Sequence, residues 1–209
     1  MEYDPTLRIY CESGDFTKVV DYLRYHTVPQ STLDDCVINS VHAGNIQIID
    51  ILASYGADVH VCNETPLCKA IEYKQMQIVI YLLENGADLS ENNRCIKLAI
   101  QNKFNDFIKV CIEYIPNIVA IINKQHLLVE AILFNNLNCI KYFIEIGALV
   151  DPICPYLAIA GSYYDVLVYL LNNGAHLEQS VYNKEIKNKN LYKLSDKIIS
   201  VLTEMSINP

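Results

Sequence analysis

Apolar residues recur along this chain in short runs that stop at glycine. Ile51-Leu-Ala-Ser-Tyr55 precedes Gly56, and Tyr81-Leu-Leu-Glu-Asn85 precedes Gly86. Tyr142-Phe-Ile-Glu-Ile146 precedes Gly147, and Tyr169-Leu-Leu-Asn-Asn173 precedes Gly174. Within and ahead of these runs the large apolar residues keep helical spacing: Ile48/Ile49/Leu52, Val79/Leu82/Leu83, Phe107/Ile108/Cys111, Ile140/Phe143/Ile144 and Val166/Leu170/Leu171. Each set marks one buried helix face. A second glycine lies further upstream. Gly14 and Gly44 precede His26 and Gly56 by twelve residues, and Gly161 precedes Gly174 by thirteen. Glycine stops helices because it enters the left-handed conformation without a Cβ clash. Two such stops per unit predict two short helices per unit, repeated about every 30 residues.

The third unit is the most explicit. It opens Thr65-Pro-Leu-Cys-Lys-Ala70 and closes Tyr81-Leu-Leu-Glu-Asn-Gly-Ala-Asp88. Thr65 suits a helix cap, Pro66 suits a first helical position, and Ala70 is small where helices approach closely. Thr-Pro-Leu followed by x-x-Ala, with the Gly-Ala-Asp close, resembles the ankyrin-repeat signature. The small residue recurs as Ala99, Ala131 and Ala158, with Ser40 in the second unit. On these anchors the resemblance covers about 5–180, in units of roughly 5–34, 35–64, 65–93, 94–125, 126–152 and 153–180. The segment 181–209 is a degenerate C-terminal cap. The implied fold class is an all-α ankyrin solenoid of helix-turn-helix units with short or trimmed β-turn connections. Lys74, Lys103 and Asn135 stand in for the upstream glycine. Ile115, followed by Pro116, occupies a downstream glycine slot that a β-branched residue resists. That predicts an irregular connection over 115–125. The short units, rich in Ile, Asn, Lys and Tyr, look like the divergent ankyrin proteins of large DNA viruses of the mimivirus type.

Composition narrows the function. The 209 residues are 52% hydrophobic and 19% charged, with a net charge of −8, so the chain has the means to form a core. The acidic balance lies in residues 1–179, at −10; residues 180–209 carry +2. An acidic body argues against nucleic acid as partner. No run is long and apolar enough to cross a membrane, and Met1-Glu-Tyr-Asp-Pro5 is unlike a signal peptide, which predicts a cytoplasmic protein, in the host cytosol if viral. The eight cysteines lack a Cys-x-x-Cys and read as reduced, mostly buried thiols. His60, Cys62, Glu64 and Cys68 are metal-ligand types, but their spacing matches no common zinc module. No phosphate loop, nucleophile elbow or His-Glu-x-x-His is present, and the five histidines share no slot. No cofactor, metal or catalytic residue is expected.

The family resemblance implies a protein partner bound on the concave face of the solenoid, gripped by the repeat tips and by the residues just ahead of the upstream glycine slot. Those residues include Glu12, His42, Glu72, Tyr73, Gln101, Asn102 and Phe134; the tips add Asp34, Glu64 and Glu91. Tyr73 and Phe134 are aromatics at slots expected to face solvent, where aromatic anchors dominate binding energy; for Phe134 the alternative is that it folds into the irregular junction over 115–125. A monomeric, non-enzymatic binding scaffold is the reading. The alternatives are an effector or adaptor recruiting host machinery, and an enzyme whose site is assembled across repeats. The five lysines between Lys184 and Lys197 read as the solvated face of the cap.

Overall fold

The computed structural model describes residues 5–87, 89, 93–177 and 200. Among them are thirteen helices and no strand. They run in pairs: α1 (Thr6–Glu12) and α2 (Phe16–Tyr25), α3 (Gln30–Ala43) and α4 (Ile46–Ser54), α5 (Val61–Glu72) and α6 (Met76–Glu84), α7 (Asn93–Gln101) and α8 (Asn105–Tyr114). An extra helix, α9 (Ile118–Lys124), precedes α10 (Leu127–Leu133) with α11 (Leu137–Glu145), and α12 (Cys154–Ala160) with α13 (Tyr164–Asn172). The chain divides into two compact units, residues 1–111 and 112–209. In the first, α1, α3, α5 and α7 stack in one row and α2, α4 and α6 in another. In the second, α9 and α12 pack on α10, and α13 packs on α11.

One hydrogen-bond device ends nearly every helix. The upstream slot residue takes a left-handed φ, and the next amide reaches back five residues. Asn45 N–H donates to Ser40 O, Gln75 to Ala70, Phe104 to Ala99, Asn136 to Ala131 and Tyr163 to Ala158. This is the Schellman closure, which satisfies carbonyls a helix end would otherwise orphan. Its acceptors are the recurrent small residues, all fully buried. The downstream Gly-Ala pairs do the same. Ala57, Ala87, Ala148 and Ala175 donate to Leu52, Leu82, Phe143 and Leu170, the core residues of the preceding helix. The residue after the upstream slot then opens the second helix. Asp15, Asn45 and Asn136 each accept the amide three residues on, from Lys18, Ile48 and Cys139. Asn136 is a buried polar residue, 2% exposed, so this capping bond is what its amide exchanges for water.

The stand-ins behave as the glycine they replace: φ is +56° at Lys74, +54° at Lys103 and +49° at Asn135. Two expectations are corrected. Gly161 is right-handed, with φ −80°, and its neighbour Ser162 takes the slot at φ +57°. Ser162 lies twelve residues before Gly174, so the thirteen-residue spacing was a one-residue offset in reading the slot. Gly161 is small for another reason: a Cβ there would sit 2.3 Å from the Tyr163 ring. A left-handed L-residue costs about 1–2 kcal/mol, while glycine costs chain entropy on folding. Ser162→Gly is therefore expected to gain about 0.5–1 kcal/mol by the difference. Urea unfolding followed at 222 nm measures it; a loss would place the strain elsewhere.

The second correction concerns 115–125, which is mostly the helix α9 rather than irregular. Ile115 stays out of the left-handed region and is buried at 8% exposure. Asn117 takes φ +57° instead and opens α9. Asparagine tolerates that region where isoleucine does not, so the turn moved two residues along the chain. The C-terminal cap, 181–209, lies outside the described residues apart from Ser200.

Candidate interaction face

The slots ahead of the upstream turns are the last residues of the first helices. Most of their side chains reach solvent. Glu12, His42, Glu72, Tyr73 and Gln101 are exposed in the first unit, with Asn102 half-buried. His42 and Tyr73, one repeat apart, meet edge to face with centroids 5.1 Å apart. Lys69, one turn before Tyr73, lies over its ring at 5.8 Å and pairs with Glu72 at 2.9 Å. Tyr73 remains 41% exposed. The result is an aromatic ring fixed on two sides, with one carboxylate and one ammonium beside it. Sequence reasoning missed Lys69. The signal was there in its spacing, since residues three and four apart share a helix face.

Phe134 in the second unit is exposed at 41%, beside Leu133 at 49%. Leu133 O accepts a hydrogen bond from the Tyr163 hydroxyl at 3.3 Å, so this end of α10 is tied to the next repeat.

The tip residues differ from the expectation. Asp34 is half-buried, and its Oδ1 accepts from Gln30 Nε2 at 2.7 Å and from the Asp58 amide at 2.8 Å. It holds the next tip in place. Glu64 is not a solvent-facing tip: it is 9% exposed. The segment Cys62-Asn63-Glu64 forms a left-handed turn, with φ of +54°, +56° and +61°. That turn folds the carboxylate inward. The Thr65 hydroxyl donates back to Cys62 O at 2.8 Å rather than capping the helix as an acceptor. Glu91 lies outside the described residues.

His60 clamps this turn. Its Nδ1 is 3.1 Å from Glu64 Oε2 and its Nε2 is 3.0 Å from Asn85 O. Both partners are acceptors, and a neutral imidazole has one N–H. Only the protonated ring makes both bonds. Burial, the largest single influence, pulls the His60 pKa down. The bonds to Glu64 and Asn85, with the charges of Glu64 and Asp58, outweigh it and raise the pKa above its ordinary value. The clamp's contribution is thus fully present below about pH 6.5, the ordinary imidazole value. It is lost as pH rises through the higher folded value. Between those limits the wild type is expected to lose more stability with rising pH than His60→Gln, whose single amide donor does not titrate. Parallel urea curves at several pH values check it; identical slopes would remove the clamp. Among the described residues no three or more His, Cys, Asp or Glu side chains are gathered to hold a metal.

Residues 7–93 match the family model described as ankyrin repeats, in three copies. These residues are ankyrin repeats. The fold extends beyond them: the ankyrin repeat domain of human ASB11 superposes with a TM-score of 0.69 over 85% of this chain and 86% of that one, at 20% identity. An ankyrin repeat protein of Acanthamoeba polyphaga mimivirus, R598, is 31% identical over 113 residues, 53% of this chain and 35% of that protein. Human protein phosphatase 1 regulatory subunit 27 is 30% identical over 91 residues, 40% of this chain and 59% of that subunit. The matched stretches span about a third and about three fifths of those relatives. Ankyrin repeats are in general protein-interaction modules, and their fold is not typically an enzyme's. No helix among the described residues is long and apolar enough to cross a membrane.

Proposed function

We propose that this ankyrin-repeat protein binds a partner protein without catalysis, through the exposed ends of its first helices in residues 1–111. The observation that carries the reading is Tyr73. It is a large aromatic left open to solvent, yet fixed by His42 and Lys69 from two directions. A pre-positioned aromatic loses little freedom on binding, which is why such residues anchor interfaces. Glu12, Glu72, Gln101 and Asn102 surround it in the series as polar contacts. Glu64 drops out of the contacting set and supports its tip from within, whereas Asp34 ties the next tip at the surface and stays a candidate contact. Phe134 stands as a separate apolar contact in the second unit. A regulatory subunit among the relatives supports a role in directing another protein.

The test uses two baits, the wild type and a Glu72→Lys, Tyr73→Ala double variant, against lysate from the native host. A protein retained by the first and lost by the second is the partner for this face. Equal retention of every captured protein rejects the assignment.

A further inference from the structure

Cys68 lies in α5 and Cys95 in α7, the first helices of successive repeats. Their sulfurs are 2.8 Å apart, in direct contact and close enough that a small approach would bring them to the roughly 2.04 Å of an S–S bond. Cys68 is 2% exposed and Cys95 fully buried. Burial normally makes a thiol inert, because its thiolate is costly away from water. Cys111, pushed up to about 12 by burial, and Cys154, pushed up to about 11 by the same cause, are in that condition. Cys68 differs. The contact with the Cys95 sulfur and the positive charge of nearby Arg94 together outweigh burial and lower its pKa. Cys95 is pushed up by the same contact and by burial. The first proton of the pair is thus easier to remove than that of an isolated buried thiol, and the two sulfurs are held against each other.

We propose that Cys68 and Cys95 are a site of oxidative modification, at which a hydroperoxide joins them as a disulfide between α5 and α7. With hydrogen peroxide, the Cys68 thiolate attacks one oxygen and the O–O bond breaks. Cys68 becomes a sulfenic acid, and the departing hydroxide takes up the proton Cys68 released, giving water. The Cys95 sulfur then attacks the Cys68 sulfur. The S–O bond breaks, and the hydroxide leaves with the Cys95 proton as a second water. Two thiols are oxidised by two electrons in all, and one peroxide is reduced to two waters. The link closes a loop from residue 68 to residue 95 and fixes the two helices that end in Glu72, next to Tyr73, and in Gln101. It stands independently of whether that face binds a partner.

The experiment treats the reduced full-length chain with stoichiometric hydrogen peroxide, then removes the peroxide and alkylates the unfolded protein. Mass spectrometry of a digest is expected to find a Cys68–Cys95 linked peptide, two hydrogens lighter than the separate peptides and reversed by dithiothreitol. The oxidised protein is expected to melt several degrees higher than the reduced one, because the link restricts the unfolded chain. In Cys95→Ser the link is lost, and dimedone is expected to label Cys68. The proposal is overturned if Cys68 and Cys95 are both fully alkylated after peroxide treatment of the wild type. It is equally overturned if the cross-links run through exposed Cys62 instead.

Discussion

Phe143→Ala is expected to lower the unfolding free energy by about 3–5 kcal/mol. The ring lies in α11 at 1% exposure, on the face that carries Cys139 and Ile140 into the core. Truncation removes the transfer energy of the ring and leaves a cavity that the neighbouring repeat cannot fully fill. The site is also a structural corner, because the Phe143 carbonyl accepts the Ala148 amide at 2.9 Å in the closing turn. In a stacked architecture each repeat is stabilised mainly by its neighbours, so a hole in one weakens both of its interfaces. Phe134→Ala supplies the contrast. It removes the same ring from a position 41% exposed, and the cost is expected to stay below about 1 kcal/mol. Urea denaturation of the two variants side by side measures the difference. Equal losses would mean that residue type, not burial, sets the effect.

The second large effect concerns binding. Tyr73→Ala with Glu72→Lys is expected to weaken the captured partner about 30-fold or more, equivalent to about 2 kcal/mol. The alanine removes the anchor. The lysine removes a carboxylate and adds a like charge beside Lys69, which Glu72 now pairs at 2.9 Å. Neither side chain is in the core, so the far-UV spectrum and the urea midpoint should remain close to those of the wild type. Titration calorimetry with the purified partner reads the loss. An affinity within threefold of the wild type would move the contact to another face.

Most of the fold was legible because its punctuation is chemical. Glycine, and the residues replacing it, fall where a left-handed turn is required, and Lys74, Lys103 and Asn135 take that conformation without being glycine. The small residues at 40, 70, 99, 131 and 158 were visible as a series. Close helix packing accounts for their size, whereas the Schellman bond their backbone carbonyls accept is a three-dimensional fact that side-chain type does not announce. Three readings failed for physical causes. Gly161 attracted the slot that Ser162 fills, because a glycine required by the Tyr163 ring looks the same in sequence as one required by φ. Ile115 pointed correctly to a broken turn, but Asn117 two residues on relocated it and left room for α9. Glu64 looked like a solvent-facing tip because carboxylates normally stay wet. Here the imidazolium of His60 makes its burial tolerable. The face itself was half legible. The positions of Tyr73 and Glu72 followed from the repeat frame, whereas the contact of Tyr73 with His42 crosses repeats and leaves no local spacing to read.

The paired left-handed positions also show where this chain tolerates changes of length. Gly44 to Gly56, Lys74 to Gly86, Asn135 to Gly147 and Ser162 to Gly174 are each twelve residues. The intervals that follow vary: eighteen from Gly56 to Lys74, seventeen from Gly86 to Lys103 and fifteen from Gly147 to Ser162. The second helix acts as a fixed ruler, since one added residue would rotate its apolar stripe by about 100° off the core. Among these four repeats the differences in length fall in the tip and the first helix, whereas the fourth unit departs, with fourteen residues from Lys103 to Asn117. The segment most free to vary in length therefore adjoins the residues proposed to meet a partner, so reach can be adjusted there without altering the core.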